Sequence, residues 1–567
     1  MYILVSASAH GTAEPQGVHL QALDDVGHPT ADAVVVPLAD LPRKIAKLET
    51  KRPRWVFENV RDWYPQLLAD ATDIDIERCH DVTLIRGILR FATSAAPSPY
   101  IEVLHSAPLD DTEDALPRQL QPPPPAPDQG TLFESGPTTS GMPLEDLRDE
   151  LQAQLAAIAQ SPQAHRLTLL TAAESAGALV AAEMEHFGMP WREDVHNDIL
   201  TTALGPRPRE GHRPPELERL AGELRTTLKN PTLNPDSPQE LLRALHRAGL
   251  EVKTTRQWEL EQHNHPVIAP LLQYKKLSRL VTANGWTWLD AWVHDGRFHP
   301  EYVVGGVVTG RWASRGGGAM QIPRVIRDAS RPDPGHRFIV ADAAQLEPRV
   351  LAALAKDSAL AAAARGRDLY QGIADQGFGG DRSTAKIAML GAMYGATSGE
   401  AGRLMPQLTR TYPQAIAVVE HAAREGEAGG VVSSHLGRSC PPPSPRWLQA
   451  QQSTTADEQR RAEGVARARG RFTRNFVVQG TAAEWALCWL AELRRRLRTA
   501  AGPGPALGKL VFFLHDEVVL HVRDECVEEV EAIVQASAAA ATHLLFGNIP
   551  IDFPVNAVVV DSYADAK

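Results

Sequence analysis

Phe338-Ile-Val-Ala-Asp-Ala-Ala-Gln-Leu-Glu-Pro-Arg-Val-Leu-Ala-Ala-Leu354 is the stretch on which the reading of this chain turns. The apolar start, Phe338 to Ala341, has the continuity of a buried strand. Such a strand delivers Asp342 at its end. Glu347 and Arg349 follow, and the alanine- and leucine-rich remainder reads as a helix. Pro348 fits the first helical position, where its missing N–H costs nothing. A carboxylate held by a buried strand is well placed to bind a metal ion. Taken alone, however, the stretch is better read as a strand followed by a capping Asp.

Two downstream stretches reverse that preference. The first is Asp381-Arg-Ser-Thr-Ala-Lys-Ile-Ala-Met-Leu-Gly-Ala-Met-Tyr-Gly395, with Asp381 as an N-cap. Arg382, Lys386, Leu390 and Tyr394 recur every fourth residue. On a helix each such step rises about 6 Å and turns about 40° past a full turn, so the four form one stripe. Cations come first, then an apolar residue, then an aromatic, an order that suits a polyphosphate, a sugar and a base. Gly391 and Gly395 would let a base approach closely. A lone Arg-x-x-x-Lys would be only a solvated basic end. The second stretch, Gly508-Lys-Leu-Val-Phe-Phe-Leu-His-Asp-Glu-Val-Val-Leu-His-Val522, reads as a hairpin with His515-Asp516-Glu517 at a tight turn. Adjacent acids are costly beside other carboxylates unless a cation is present.

The order carboxylate strand, basic-aromatic helix, carboxylate hairpin resembles motifs A, B and C of the family A (polymerase-I-like) DNA polymerases. The resemblance covers most of residues 180–563. Thr309-Gly-Arg-Trp-Ala-Ser314 and Gln321-Ile-Pro-Arg324 are similar to further family motifs, and so are Leu233–Gln239 and Tyr274–Arg279 of its thumb. Arg471, Asn475 and the run Gln479–Glu484 resemble its primer-template helix.

The resemblance implies an α/β multidomain chain: a right-hand polymerase of palm, fingers and thumb, preceded by a small ribonuclease-H-like α/β domain. It implies DNA-directed DNA synthesis with two Mg2+ ions held by Asp342, Asp516 and the main-chain carbonyl of Ala343. Glu517 would be an auxiliary acid near the primer end. Arg382 and Lys386 would bind the triphosphate, with Lys386 the proton donor to pyrophosphate. Leu390, Tyr394, Glu347 and His515 would surround the nucleotide. Arg311, Arg471, Asn475 and Gln479 would follow primer and template. The partners are then primed DNA and dNTPs, and the protein a monomer in the cytoplasm at the nucleoid.

Several positions depart from the family pattern. Ala343 and Ala344 replace a Tyr-Ser pair, Leu390 stands where an aromatic is usual, and Ser383 replaces a second Arg. The segment between Asp368 and Arg382 is short. The loss of the aromatic suggests that Glu347, which bars a ribose 2′-hydroxyl in the family, is less firmly held here.

The remaining sequence sets boundaries. The chain has 567 residues, enough for roughly two to four domains. Hydrophobic content of 43% and charged content of 22% are those of a globular protein. No apolar run is of bilayer length, so no membrane partner is expected. The four cysteines, Cys79, Cys440, Cys488 and Cys526, are scattered, which argues against a zinc site or a disulfide framework. A net charge of −11 leaves room for a local basic groove.

Residues 1–116 read as the small α/β domain, 117–143 as a Pro-rich linker, 144–300 as a helical region with the thumb, and 301–567 as palm and fingers, the fingers at 355–470. In the family the N-terminal position carries a 3′–5′ exonuclease, and His80–Leu89 resembles a strand-helix segment of that fold. Its first strand needs Asp-x-Glu, but Tyr2-Ile-Leu-Val-Ser-Ala-Ser8 has no acid. The domain is therefore read as degenerate and the polymerase as lacking proofreading; a 5′-nuclease would need several hundred residues more. In the linker, Gln129, Leu132 and Phe133 have the spacing of a bacterial sliding-clamp-binding peptide. The rival readings are an RNA polymerase, against which Glu347 speaks; a metal-dependent nuclease, which would not need the Arg382–Tyr394 stripe; an unrecognised exonuclease site; and a non-catalytic DNA-binding relic.

Overall fold

The structure, a computed structural model, describes every residue except 8–16, 71–73, 109–140, 210, 316–317, 319–321, 367, 397–398, 453–454, 503 and 567. Gln321 and the clamp-peptide candidates Gln129, Leu132 and Phe133 lie outside the described residues. The chain divides into two compact units, one of residues 1–187, 301–316 and 335–559, the other of 188–300, 317–334 and 560–567.

The first unit begins with a five-stranded sheet of order β3-β2-β1-β4-β5. Its strands are β1 (Tyr2–Ala7), β2 (Gly17–Leu23), β3 (Val34–Pro37), β4 (Arg54–Phe57) and β5 (Cys79–Asp81). β1 pairs antiparallel with β2 and parallel with β4. Alternate side chains of a strand point to opposite faces, and here both faces are apolar. Ile3, Val5, Trp55 and Phe57 pack with Trp63 and Tyr64 of helix α1 (Val60–Asp70). Leu4, Leu23 and Val56 pack on the other face with Val82, which opens α2 (Val82–Leu89). A sheet that is apolar on both sides needs two covers. α3 (Leu144–Ala159) supplies Leu147 and Leu151 to one, and α4 (Ala164–Phe187) supplies Ala178, Leu179 and Ala182 to the other. Residues 144–187 thus belong to the N-terminal core, not to a separate helical region beginning at 144.

α4 contains 24 residues with a window of mean hydropathy 1.2, and by length and composition could cross a bilayer; that window is 72% buried inside the protein. The small side chains that raise its hydropathy are also what let it pack closely. At Gly177 an added Cβ would lie 2.8 Å from a Leu487 methyl.

The second sheet of this unit has order β7-β8-β6-β9, from β6 (His336–Ala343), β7 (Gly508–Leu514), β8 (Glu517–Arg523) and β9 (Val555–Val560). β8 pairs antiparallel with both β6 and β7. After β6, Gln345 takes φ +54° and caps α5 (Leu346–Ala355). The helix starts at Leu346, so Pro348 is its third residue and not its first; the left-handed turn at Gln345 brings the helix in early. Beyond lie α6 (Leu369–Gly377), α7 (Arg382–Tyr394) and the 46-residue α8 (Ala456–Ala501). α8 opens on a reciprocal cap between Thr455 and Glu458. Near its other end the buried Arg494 meets Glu183 of α4 and the carbonyls of Ile76 and Glu77, while Tyr64 donates to Glu183 at 2.8 Å.

The second unit is largely helical, with helices at Glu193–Leu204, Pro215–Thr227, Pro238–Arg247 and Ile268–Asn284. Trp191, His196, Trp288 and Phe298 form an aromatic cluster within it. Asp236 accepts from Tyr274 at 2.8 Å and Arg213 at 2.7 Å, joining the two thumb-like sequence segments.

Candidate functional site

The antiparallel register of β6 and β8 sets Asp342 opposite Glu517. One residue on, the Ala343 N–H donates to the Asp516 carbonyl at 2.9 Å. The ends of the two acid-bearing strands are therefore stitched together. The turn between β7 and β8 has two residues, His515 and Asp516, and His515 carries φ +60°. Tight hairpins favour a positive φ in their turn, normally on Gly. A histidine there costs backbone strain, a feature that clusters at working sites. Glu517 is not at the tip, as the sequence reading had it, but is the first residue of β8 and only 1% exposed.

A cleft of about 280 Å³ opens beside this hairpin, with Arg311, Glu347, Leu390, Tyr394, His515 and Asp516 on its walls. Glu347 is held at both of its oxygens. One oxygen pairs with Arg311; the other accepts the Tyr394 hydroxyl at 2.6 Å. Burial first, then the Glu347 charge, pushes the Tyr394 phenol well above its usual range. Tyr394 therefore stays a donor. His515 is held below the ordinary imidazole range, by burial and then by the Arg311 charge.

Arg311 follows Gly310, where φ is +87° and a Cβ would sit 2.5 Å from the Arg438 Nε. Arg438 is pinned there by Glu174 at 2.7 Å. On the same side, Glu484 accepts from Leu436 N–H at 2.9 Å and from the Ser434 hydroxyl, and its burial raises its pKa to about 7.

α7 forms as its sequence implies, capped by Asp381, whose carboxylate accepts from Ser383 N–H at 2.9 Å. Arg382 and Lys386 are exposed on its first two turns, and Leu390 and Tyr394 reach the cleft. The glycines serve a different purpose from the one expected. At Gly391 a Cβ would lie 2.5 Å from that of Ala401, and at Gly395, with φ +73°, 2.8 Å from the Arg471 side chain. Both make room for protein and not for a base. Arg471 is exposed, and Asn475 and Gln479 are partly so, one turn apart along α8.

Three residues that the sequence reading left without a role support the site. Tyr370 and Gln345 line the cleft. Asp368 caps α6 and also takes the Arg382 Nε at 2.7 Å. The Asp-x-x-Gln pattern of Asp368 to Gln371 was the legible signal, a helix start. Arg349, fully buried, donates to the carbonyls of Ala344, Ala364, Gly366 and Asp552 at 2.7–3.0 Å. Burial lowers its pKa to about 10, so it remains charged at neutral pH.

In the N-terminal sheet, Asp81 is committed to structure: it accepts from Leu84 N–H at 2.9 Å and Val60 N–H at 2.8 Å. Among the described residues, no group of three or more His, Cys, Asp or Glu is arranged to hold a metal ion.

Comparison with known proteins gives a consistent answer. The profile of DNA polymerase family A matches residues 214–564. The thermostable DNA polymerase I of Thermus filiformis is 29% identical over 387 residues, which are 61% of this chain and 43% of that protein. DNA polymerase I of Chloroflexus aurantiacus is 28% identical over 296 residues, 47% of this chain and 29% of its own. The chain thus spans less than half the length of these curated relatives. Among solved structures, the POL domain of Pol1 from M. smegmatis, in complex with DNA primer-template and dNTP, is similar in fold. The TM-score is 0.70 at 20% identity, covering 100% of this chain and 95% of that one.

Proposed function

This chain belongs to DNA polymerase family A, and from that premise we propose that it copies a DNA template by adding dNTPs to a primer 3′-hydroxyl. The observation that carries the reading is the 2.9 Å backbone bond from Ala343 N–H to the Asp516 carbonyl, which joins the ends of the two strands that carry the motif acids.

The donor set fits magnesium: Asp342, Asp516 and the Ala343 carbonyl are all hard oxygen ligands. When bound there, two Mg2+ ions would supply charge neutralisation and an activated primer oxygen. The protein's share is positioning and electrostatics, which dominate phosphoryl transfer. Arg382 presents a fork that matches phosphate oxygens. Lys386, one turn on, holds a proton for the departing pyrophosphate. Glu347, fixed by Arg311 and Tyr394, would bar a ribose 2′-hydroxyl. Arg471, Asn475 and Gln479 form the rail along α8 for primer and template. Primer extension with dNTPs and magnesium tests the proposal. Asp342→Ala and Asp516→Ala should each abolish incorporation while DNA binding persists; undiminished synthesis by either would sink it.

The N-terminal sheet is, on this reading, a degenerate exonuclease, and the protein works as a monomer on nucleoid DNA in the cytoplasm. Gln129, Leu132 and Phe133 would tether it to the sliding clamp. A 126–136 peptide should bind the clamp, and its Leu132/Phe133 double-alanine form should not.

A further inference from the structure

We propose that Asp368 and Tyr370 form a seat that fixes the direction of the Arg382 guanidinium, making both of them positioning residues for nucleotide binding. The inference rests on the reading that Arg382 holds the incoming triphosphate.

Asp368 is a carboxylate with no freedom left. Its Oδ1 accepts from Gln371 N–H at 3.1 Å and from the Gln345 amide at 3.0 Å. Its Oδ2 takes the Arg382 Nε at 2.7 Å. A carboxyl held at one oxygen by two donors cannot rotate, so the third bond is directional. Tyr370, two residues on and only 7% exposed, places its ring 5.7 Å below the same guanidinium carbon. Arg382 is thus engaged at Nε and covered on one face. Its two terminal nitrogens have no acceptor among the described residues and form the end of the fork suited to a pair of phosphate oxygens.

The seat is also tied to the acid strand. The Gln345 side-chain Oε1 accepts from Leu369 N–H at 2.8 Å, while its Nε2 donates to Asp368 at 3.0 Å. Gln345 lies three residues beyond Asp342 and holds its place through the left-handed turn that opens α5. A short run of hydrogen bonds therefore registers the phosphate-binding arginine against the strand that carries the acid. The contrary possibility is that Asp368 merely occupies Arg382 and must be displaced, in which case it would hinder nucleotide binding.

Single-nucleotide insertion kinetics on the full chain separate the two. Arg382→Ala should raise the dNTP KM. Asp368→Asn offers one acceptor where two are used, so it cannot serve the cap and Arg382 together. It should raise the dNTP KM about fivefold with kcat changed less than about twofold, the mark of lost ground-state orientation. Inhibition by pyrophosphate should weaken in parallel, while the DNA Kd and Tm stay put. Tyr370→Leu, which leaves the cap intact, should act in the same direction. A dNTP KM that is unchanged or lower in both Asp368→Asn and Tyr370→Leu, with Arg382→Ala raising it, would overturn the seat alone. No effect of Arg382→Ala would overturn the triphosphate reading beneath it.

Discussion

The Tyr394 hydroxyl donates to Glu347 at 2.6 Å, from the last residue of α7 to the first turn of α5. Because Arg311 holds the other oxygen, Glu347 is anchored without any aromatic at position 390. The expectation that Leu390 leaves this carboxylate loose is therefore corrected. Leu390 lines the same cleft but takes no part in that anchoring.

Sugar selectivity should follow the anchors. Tyr394→Phe removes one charge-assisted hydrogen bond, and at a partly exposed site that should lower the dNTP/rNTP ratio of kcat/KM by about three- to tenfold. Leu390→Phe should move the ratio far less. The opposite ranking would return the role to position 390.

Proofreading should be absent. A labelled, mismatched primer incubated with magnesium and without dNTP should keep its length. Shortening from the 3′ end that a substitution in residues 1–110 removes would show that the N-terminal sheet still cuts.

Stability should carry a pH signature from Glu484. Its folded pKa, about 7, lies above the unfolded value, so the folded state holds a proton that the unfolded chain has released. Stability contributed by this group falls as pH rises from the ordinary carboxyl range through 7. Glu484→Gln can keep both hydrogen bonds, since the Ser434 hydroxyl has the Arg438 carbonyl as an alternative acceptor at 3.2 Å. The variant should match the parent near pH 4.5 and exceed it by about 1–3 kcal/mol at pH 8 in urea unfolding. Parallel curves would show that Glu484 is charged throughout.

Arg349→Met should be among the most damaging single changes outside the cleft. It would leave several buried carbonyls unpaired around the Ala344 turn and the 364–366 and 552 loops. A loss of about 3 kcal/mol is expected, read as a lowered Tm.

The sequence showed the acid strand, the capped α7 and the hairpin because each is written locally, in an apolar run, a cap or a four-residue spacing. It also showed Arg382, Lys386, Leu390 and Tyr394 as one stripe, and the family by the order of its motifs. It concealed whatever depends on partners distant in the chain. The burial of Glu517 follows from pairing with β6, and the use of Gly391 follows from Ala401. Asp368 and Tyr370 gain their parts only when α6 folds against α7. The assignment of α3 and α4 was missed because amphipathic helices look alike whichever surface they cover; only the two apolar faces of a distant sheet decide it.

The helix Ala164–Phe187 joins two parts of the first unit. Ala178, Leu179 and Ala182 lie in the core of the N-terminal sheet, while Glu183 holds the arginine that steadies the far end of α8. Removing the sheet would bare this helix and strip Arg494 of its partners at Ile76 and Glu77. The sheet and the long helix are in this sense one structure: neither can be cut away and leave the other whole.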